Sequence, residues 1–329
     1  MRLWSIALGF AILCPAVAEA VGFEQATIPT SPPIEIGIWY PSSSSRVAAV
    51  NVPFGQALAV DGEIEGEELP LVLLSHGHDS NMHAHVHTAL ALAEAGYVAV
   101  ALTHPGDNAQ NQLTVASDWL VSRPADISRT LDYMVSDWIH ADVIDADRIG
   151  VFGFSMGGYT ALAAAGALID IDQAARHCAE TPEDLTCDPS ALDNVDPTEF
   201  DPRLRDVAGD PRVAAIVVVA PGYGYAFDRE ALENVTVPVQ IWSGSIDELT
   251  PHIWNGAVLA ANLPDSPEVH VVENAGHLAF AAPCPESIRH YDRYTWDTYC
   301  RDAEGFDRAA FHAVFHQRIV DFLDSVISP

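Results

Sequence analysis

The stretch that decides the fold reads Gly153-Phe154-Ser155-Met156-Gly157-Gly158, between the apolar run 148–152 and the alanine-rich run 159–168. This order predicts a strand, a sharp turn and a helix, and such a turn strains its central residue, so the positions two before and two after must lack a Cβ. Glycine occupies both. The hydroxyl of Ser155 is therefore expected at a helix N-terminus, where unpaired N–H groups favour negative charge and a nucleophile fits. Glycine and serine also occur at ordinary strand-to-helix turns, so the stretch alone leaves both interpretations open.

Strands and helices alternate before this turn. We predict strands at Ile34–Tyr40, Leu69–Ser75 and Tyr97–Thr103. Apolar residues at helical spacing predict a helix between the last two strands, and this helix ends at Gly96. A second helix, with its apolar residues on one face, is expected to open at Pro124 because proline suits the first helical turn.

The same alternation resumes further along the chain. The segments Val213–Ala220, Val237–Trp242 and Val269–Val272 are apolar and rich in β-branched residues, which is typical of central parallel strands. A final amphipathic helix is predicted over Phe306–Val326. The whole pattern predicts an α/β fold, with a mostly parallel central sheet and helices on both faces.

The stretch Asp170–Arg212 interrupts this order, because it is acidic and proline-containing and has no clear periodicity. We expect an inserted loop, either a lid over the site or a solvated surface excursion. Four cysteines follow the N-terminal segment, and an even number in an exported chain favours disulfides. Closeness in sequence predicts the pairs Cys178 with Cys187 and Cys284 with Cys300.

The first twenty residues resemble a secretory signal peptide. They have a charged start, an apolar run Leu3–Leu13 and a small-residue exit, Ala18-Glu19-Ala20. A lipoprotein site at Cys14 is disfavoured by the bulky residue before it. We therefore expect a secreted or periplasmic protein whose residues 21–329 form a single domain. No other stretch is long and apolar enough for stable membrane insertion.

Charge is strongly one-sided. The chain has 46 acidic residues against 15 basic residues, all of them arginine, and its net charge is −31. The absence of lysine excludes a lysine Schiff base and a P-loop of the Gly-Lys-Ser/Thr type. Nucleic acids and anionic membranes are poor partners for such a charge. The acid excess fits either general solubility or a saline habitat.

A nucleophilic serine in this fold needs an acid and a histidine later in the chain, each after a strand. Asp247 follows the strand that ends at 242, and His277 follows the strand that ends at 272. We predict Ser155, Asp247 and His277 as a catalytic triad. Glu248 is the alternative acid, and a capping aspartate and a surface histidine are the alternatives without catalysis.

The oxyanion of acyl transfer needs fixed N–H donors. The residue after the nucleophile supplies one in this fold, so Met156 is the first predicted donor. The second comes from the loop after the strand that ends at Ser75, and His78 is our candidate. The same loop and the strand end near residue 104 also give candidate pocket residues, which are His76, Gly77, His104 and Asp107.

Five histidines crowd this part of the chain: His76, His78, His83, His85 and His87. His83 and His87 have the i, i+4 spacing of a helical zinc site, but residue 84 is alanine where such sites carry glutamate. We therefore predict no metal site and regard these histidines as polar positions beside the cleft.

The chain resembles exported α/β-hydrolases of the dienelactone-hydrolase-like group, which are related to platelet-activating-factor acetylhydrolases. Seven segments carry the resemblance, namely 37–41, Leu74-Ser75-His76-Gly77, 104–108, 123–128, 150–155, 247–252 and 276–280 followed by Cys284. It implies an α/β-hydrolase fold, the triad Ser155, Asp247 and His277, and no cofactor. Dienelactone hydrolases proper use cysteine as nucleophile, whereas this chain has serine. The Gly-x-Ser-Met-Gly form is also similar to that of cutinase-type polyester hydrolases.

These features predict a carboxylic ester hydrolase that works through an acyl-enzyme and accepts small-molecule, bulky or polymeric esters. Cofactor-free perhydrolysis or C–C bond hydrolysis on the same triad is one alternative. A catalytically silent binding module is another. The sequence gives no prediction of oligomeric state.

Overall fold

The computed structural model describes residues 20–45, 48–50, 55–112, 116–187, 203–204 and 207–327. The predicted signal peptide, apart from Ala20, and Cys14 lie outside these ranges, as do residues 188–202 and 205–206 of the predicted insert. Within the described ranges, no helix has the length and apolar character needed to cross a bilayer.

The described residues form one sheet of ten strands. In chain order the sheet strands are β1 (Gly22–Ile28), β2 (Ile34–Tyr40), β3 (Ala48–Val50), β4 (Gln56–Val60), β5 (Leu69–Ser75), β6 (Val98–Thr103), β9 (Ile144–Phe154), β10 (Val213–Val219), β11 (Val239–Gly244) and β12 (Glu268–Val272). Strands β7 (Asp107–Asn108) and β8 (Asn111–Gln112) form a separate small hairpin.

The sheet order is β12-β11-β10-β9-β5-β6-β2-β1-β4-β3. The first six strands in this order are parallel, and β2 pairs antiparallel with β6. The predicted mostly parallel sheet is therefore confirmed. Because parallel strands end at the same edge, the residues that follow β5, β9, β11 and β12 meet there.

Helices cover both faces of the sheet. They are α1 (Val86–Glu94), α2 (Ala116–Ser136), α3 (Met156–Ala164), α4 (Ile171–Glu180), α5 (Gly256–Asn262), α6 (Ile288–Tyr291), α7 (Arg293–Thr295) and α8 (Arg308–Ile327). Alternate residues of β5 face opposite layers, as the period of a strand requires. Leu71 and Leu73 pack in the core beneath α2 and α3, whereas Val72 and Leu74 pack in the core beneath α1 and α8.

The prediction that α2 opens at Pro124 is wrong, because the helix begins at Ala116 and the proline lies inside it. Proline lacks the N–H that would bond to the carbonyl four residues earlier. That carbonyl, of Leu120, instead accepts a hydrogen bond of 3.1 Å from the buried hydroxyl of Tyr159 on α3. A contact between two helices therefore compensates for the interruption.

The prediction of 269–272 as a central strand is also wrong, because β12 lies at the edge of the sheet. The side chains of Val269 and Val271 are exposed, and the ring of His270 stacks on Trp242 of the neighbouring strand at 4.0 Å. A β-branched run is compatible with a central or an edge position, so its composition alone does not distinguish the two.

The structure adds elements that the sequence patterns did not predict. The strands β1, β3 and β4 extend the sheet beyond β2. The predicted insert begins with the helix α4, whose first turn is capped by the carboxylate of Asp170 through the N–H of Gln173. Both predicted disulfides are present, with Cα separations of 5.2 Å for Cys178–Cys187 and 5.6 Å for Cys284–Cys300.

Replacement of Tyr159 by phenylalanine should lower the free energy of unfolding by about 1–2 kcal/mol, because it leaves the buried carbonyl of Leu120 without its donor. Pro124→Ala restores a helical N–H for the same carbonyl. In the Pro124→Ala background, Tyr159→Phe should lower the free energy of unfolding by clearly less. Urea denaturation of the two single variants, the double variant and the parent protein gives the coupling free energy between the two substitutions. Equal costs in both backgrounds would contradict this explanation.

Candidate functional site

The turn after β9 holds Ser155 in a strained conformation, with φ 55° and ψ −116°. A Cβ on Gly153 would lie 1.9 Å from the carbonyl oxygen of Gly157, and a Cβ on Gly157 would lie 2.1 Å from the carbonyl oxygen of Ser75. Backbone atoms cannot yield to such overlaps. The glycines are therefore required by close packing of β5, β9 and α3, and the predicted strand, turn and helix are all present.

The main chain of Ser155 is fixed by the end of β10, by the loop that follows it and by α3. Its N–H donates to Val219 O at 2.8 Å, and its carbonyl accepts from the N–H groups of Gly158 and Gly222 at 2.8 and 2.9 Å. Gly222 lies directly against the turn, since a Cβ there would approach the carbonyl carbon of Ser155 to 3.6 Å. Sequence reasoning did not find this residue, because a Pro-Gly pair after a strand signals only a turn.

The structure brings Asp247 and His277 together. The Nδ1 atom of His277 lies 2.8 Å from Oδ2 of Asp247, and both side chains are largely buried. Asp247 follows β11, and His277 begins a short 3-10 helix after β12. Glu248, the alternative acid, is exposed. The geometry therefore favours Asp247 as the partner of this imidazole.

Asp247 accepts a dense set of hydrogen bonds. Oδ1 receives the N–H groups of Leu249 and Thr250 at 2.9 and 2.8 Å. The Thr250 hydroxyl lies 2.9 Å from Oδ2 and 3.1 Å from Ala220 O. Burial alone would raise the pKa of Asp247, but the hydrogen bonds and charge of His277 and the bonds from Thr250 hold it below its usual value. The carboxylate is thus kept ionised beside the imidazole.

His277 lies beside the turn that carries Ser155. Its ring centroid is 4.8 Å from that of Phe154, the residue before the serine. The 3-10 helix that His277 begins is anchored to α8, because the carbonyl of Ala279 lies 3.0 Å from Nε2 of buried His312. The imidazole is therefore held from two sides, by Asp247 and by the packing of its own helix.

The loop after β5 also reaches the serine. A Cβ on Gly77 would lie 3.3 Å from the Cβ of Ser155. His78 follows directly, and its Nδ1 atom lies 2.6 Å from Oδ1 of Asp107. The same carboxylate oxygen accepts the N–H of Asp79 at 3.1 Å. Asp107 therefore fixes the part of the loop that carries the second predicted oxyanion donor.

Three of the predicted pocket residues lie behind the site, because the side chains of His76, His104 and Asp107 are fully buried. Nε2 of His76 accepts the N–H of His104 at 3.0 Å, so its Nδ1 atom donates to Gly77 O at 2.6 Å. Burial and the charge of Arg123 lower the pKa of His76 to about 3, so it is neutral. The side chains of these three residues support the loops, whereas Gly77 lies directly against Ser155.

His104 joins two further polar side chains in this interior layer. Its Nε2 atom lies 2.9 Å from the hydroxyl of Ser75, and its Nδ1 atom lies 3.1 Å from a carboxylate oxygen of Asp126. The arrangement resembles the contacts of a catalytic triad. All three side chains are buried, so no substrate reaches Ser75, and the chain of bonds serves to hold β5, β6 and α2 together.

Comparison with known proteins agrees with this architecture. The family model described as "Alpha/beta hydrolase family" matches residues 71–288, which is about two thirds of the chain. The chain belongs to this family. Residues 155, 247 and 277 all fall within the matched range.

Two individual proteins are similar to this α/β hydrolase. Hydrolase LUC6 from a Fusarium species is 28% identical over 159 residues, which are 47% of this chain but only 36% of the relative. The chain thus spans little more than a third of that relative's length. A ferulic acid esterase from Streptomyces cinnamoneus superposes with a TM-score of 0.61 and 17% identity, and the match covers 96% of this chain and 92% of the esterase. At this identity the likeness shows the fold.

The histidines considered for a zinc site do not share a helix face. Helix α1 begins at Val86, so His83 precedes it, and the i, i+4 argument fails. Among the described residues of this α/β hydrolase, one group brings three possible ligand atoms within 4.8 Å of one another, and it consists of His177, Asp184 and Cys187. The sulfur of Cys187 belongs to a disulfide, which makes it a poor ligand.

The first part of the insert packs on the loop after β10. The ring of His177 stacks on Tyr225 at 4.1 Å, and the side-chain amide of Gln173 donates to the carbonyl of Tyr225 at 2.7 Å. The disulfide Cys178–Cys187 closes this segment into a compact unit. Residues 170–187 of the insert therefore pack on the same loop that reaches the Ser155 turn through Gly222.

His85 is a buried group that neither the site nor a metal uses. Its ring packs against Phe152 and Phe154, each at 5.1 Å, and within the described residues no hydrogen bond to its ring nitrogens is found. Burial, together with the nearby imidazoles of His76, His312 and His316, lowers its pKa to about 3. The unfolded chain takes up this proton near pH 6.5, so the stability due to neutral His85 is full above that pH and is lost as the pH falls towards 3.

Replacement of His85 by leucine should therefore flatten the pH dependence of stability between pH 6 and pH 4, by at most about 1.4 kcal/mol per pH unit. The measurement is the free energy of unfolding in urea at each pH. The same substitution at exposed His290 controls for the loss of an imidazole. A slope for His85→Leu equal to that of the unsubstituted protein would refute the assignment.

Proposed function

We propose that this α/β hydrolase is a carboxylic ester hydrolase that uses Ser155, His277 and Asp247 as a catalytic triad. The observation that carries the proposal is the 2.8 Å contact between His277 and Asp247 at the sheet edge where the strained turn presents Ser155. Serine, acid and histidine follow one another in the chain order of this fold. Membership of the hydrolase family supports the same reaction class.

Acylation begins when His277 takes the hydroxyl proton of Ser155. The serine oxygen attacks the ester carbonyl, and the imidazolium then donates the proton to the leaving alcohol. Asp247 keeps Nδ1 of the imidazole protonated and stabilises its positive charge. The hydrogen bonds that Asp247 accepts from Leu249 and Thr250 hold the carboxylate in place during this cycle.

The oxyanion of the tetrahedral intermediate is bound by the N–H groups of Met156 and His78 in this proposal. The first lies at the N-terminus of α3, whose dipole favours negative charge. The second lies in the loop that passes Ser155 at Gly77. Each fixed donor in such a hole contributes about 3–4 kcal/mol of transition-state stabilisation. Water activated by His277 then hydrolyses the acyl-enzyme, and no cofactor takes part.

We propose bulky, aromatic or polymeric esters as the substrates, and the dienelactone-hydrolase-like group as the subfamily. The Gly-x-Ser-Met-Gly form supports this choice, as does the structural neighbour that is named a ferulic acid esterase. The aromatic cluster of His177, Tyr225 and Trp254 adds support, because it lies beside the loop that touches Ser155. In this view the insert forms one wall or a lid of the pocket.

We further propose that the enzyme is secreted or periplasmic. The predicted signal peptide and the two disulfides support an oxidising compartment. The net charge of −31 supports an uncharged ester rather than an anionic polymer as substrate, because like charges repel.

Ser155→Ala should reduce the turnover of p-nitrophenyl butyrate by about 10⁴-fold or more, because no other described hydroxyl lies at this turn. Its melting temperature should stay close to that of the parent protein. A fluorophosphonate probe should label the parent protein and leave the variant unlabelled, which also tests for a catalytically silent module. Ser325→Ala on α8 is the matched control. Undiminished turnover or labelling in Ser155→Ala would remove the serine from the mechanism.

Asp247→Asn should lower kcat by about 10⁴-fold, because an amide favours the wrong tautomer of His277. Glu248→Gln, the same change one residue later on an exposed side chain, should stay within about threefold of the parent enzyme. Steady-state kinetics on both variants measures the difference. A larger loss in Glu248→Gln than in Asp247→Asn would transfer the acid role to Glu248.

A further inference from the structure

A buried arginine lies beneath the proposed oxyanion hole. Arg123 on α2 is fully buried in a chain with a large excess of acid. A buried cation is costly unless it is paired and hydrogen-bonded. The fold must therefore keep Arg123 paired and hydrogen-bonded. Retention of such a costly group points to a role beyond packing.

The guanidinium contacts four residues in three separate segments of the chain. Nη1 donates to Oδ2 of Asp107 at 2.5 Å, and Nε donates to the hydroxyl of Thr160 at 2.9 Å. Nη2 donates to the hydroxyl of Ser75 at 3.2 Å and also to the carbonyl of His76. These acceptors belong to β7, to α3 and to the end of β5 with the residue that follows it. The planar fork of arginine can serve all of them at once, whereas a lysine ammonium cannot.

Two of these contacts lead to the two proposed oxyanion donors. On one side, the hydroxyl of Thr160 lies 3.1 Å from the carbonyl of Met156, within the first turn of α3. On the other side, Asp107 uses one oxygen for Arg123 and the other for the side chain of His78. One guanidinium therefore spans the distance between the helix that carries one donor and the loop that carries the other.

Charge is balanced within this assembly. The charge of Arg123 and the hydrogen bond from His78 hold the pKa of Asp107 well below its usual value, although burial alone would raise it. Arg123 and Asp107 therefore form a buried ion pair. Such a pair has fixed geometry because each member would be strongly destabilised without the other.

We propose that Arg123 is a positioning residue for the oxyanion hole, which fixes the separation of the Met156 and His78 N–H groups without touching the substrate. This inference rests on the proposed function. An oxyanion hole stabilises the transition state more than the bound ester, so a misplaced donor lowers kcat with little change in KM. A residue that only stabilised the fold would leave the kinetics of the folded enzyme unchanged.

The test compares Arg123→Lys and Thr160→Val with the parent enzyme. Arg148→Lys is the matched control, since Arg148 bonds to Asp145 on β9 and to the carbonyl of Glu68, away from the catalytic edge of the sheet. Each variant is checked for native circular dichroism at the assay temperature. The measurements are kcat and KM for p-nitrophenyl butyrate, and the inhibition constants of a trifluoromethyl ketone, whose serine adduct is an oxyanion, and of the matching methyl ketone.

For Arg123→Lys we expect kcat to fall by about 10- to 100-fold with KM within about threefold, which is less than the loss of a whole donor. Affinity for the trifluoromethyl ketone should fall by a factor similar to that for kcat/KM, and affinity for the methyl ketone should not change. Thr160→Val should lower kcat by about 3- to 10-fold, with the same pattern for KM and for the two inhibitors. Arg148→Lys should stay within about twofold of the parent enzyme.

A folded Arg123→Lys variant with unchanged kcat would overturn the proposal, as would a loss confined to KM or an unchanged affinity for the trifluoromethyl ketone. If Arg123→Lys does not fold, the proposal is tested by the same criteria on Thr160→Val. A parent protein that hydrolyses no ester and is not labelled at Ser155 would instead refute the proposed function, and this inference with it. The two failures are therefore distinguishable.

Discussion

The contact on which the structure depends is the approach of α3 to the end of β5. A Cβ on Gly157 would lie 2.1 Å from the carbonyl oxygen of Ser75, so backbone meets backbone without a side chain between them. This approach forces Ser155 into its strained conformation with positive φ and brings the loop after β5 within reach of the serine. Any wider spacing would separate Ser155 from the loop that carries His78.

Such close packing leaves polar groups with no access to water, and the polar layer beneath the site follows from that. Ser75, His76 and Asp107 are buried behind the loops, and each finds a partner in Arg123 or His104. Buried polar groups of this kind are stabilising only when all are satisfied together. The candidate site therefore has two layers, in which Ser155, Asp247 and His277 lie at the sheet edge and a hydrogen-bonded layer behind them holds the loops.

Local patterns predicted the parts of this fold that depend on local physics. Strand and helix alternation, the glycine positions around Ser155 and the cysteine pairs each follow from period, backbone freedom or spacing. The wrong predictions concern elements whose bounds or position depend on residues distant in the chain. Pro124 lies inside α2 because Tyr159, on another helix, supplies the hydrogen bond that the proline removes. The edge position of β12 depends on whether another strand pairs beside it, and a valine-rich composition does not indicate this.

The same division holds at the candidate site. Chain order placed Asp247 and His277 at the proper strand ends, but it gave no reason to prefer Asp247 over Glu248 beyond position. The contact with Nδ1 of His277 provides that reason. Arg123 is the first residue of segment 123–128, but the sequence gave no sign of its burial, because burial of this charge needs acceptors from three distant segments that sequence does not bring together. A candidate triad can thus be proposed from the order of residues, whereas the layer beneath the proposed oxyanion hole emerges only from tertiary structure. Substitutions that tune such an enzyme should therefore be sought behind the loops as well as in the pocket.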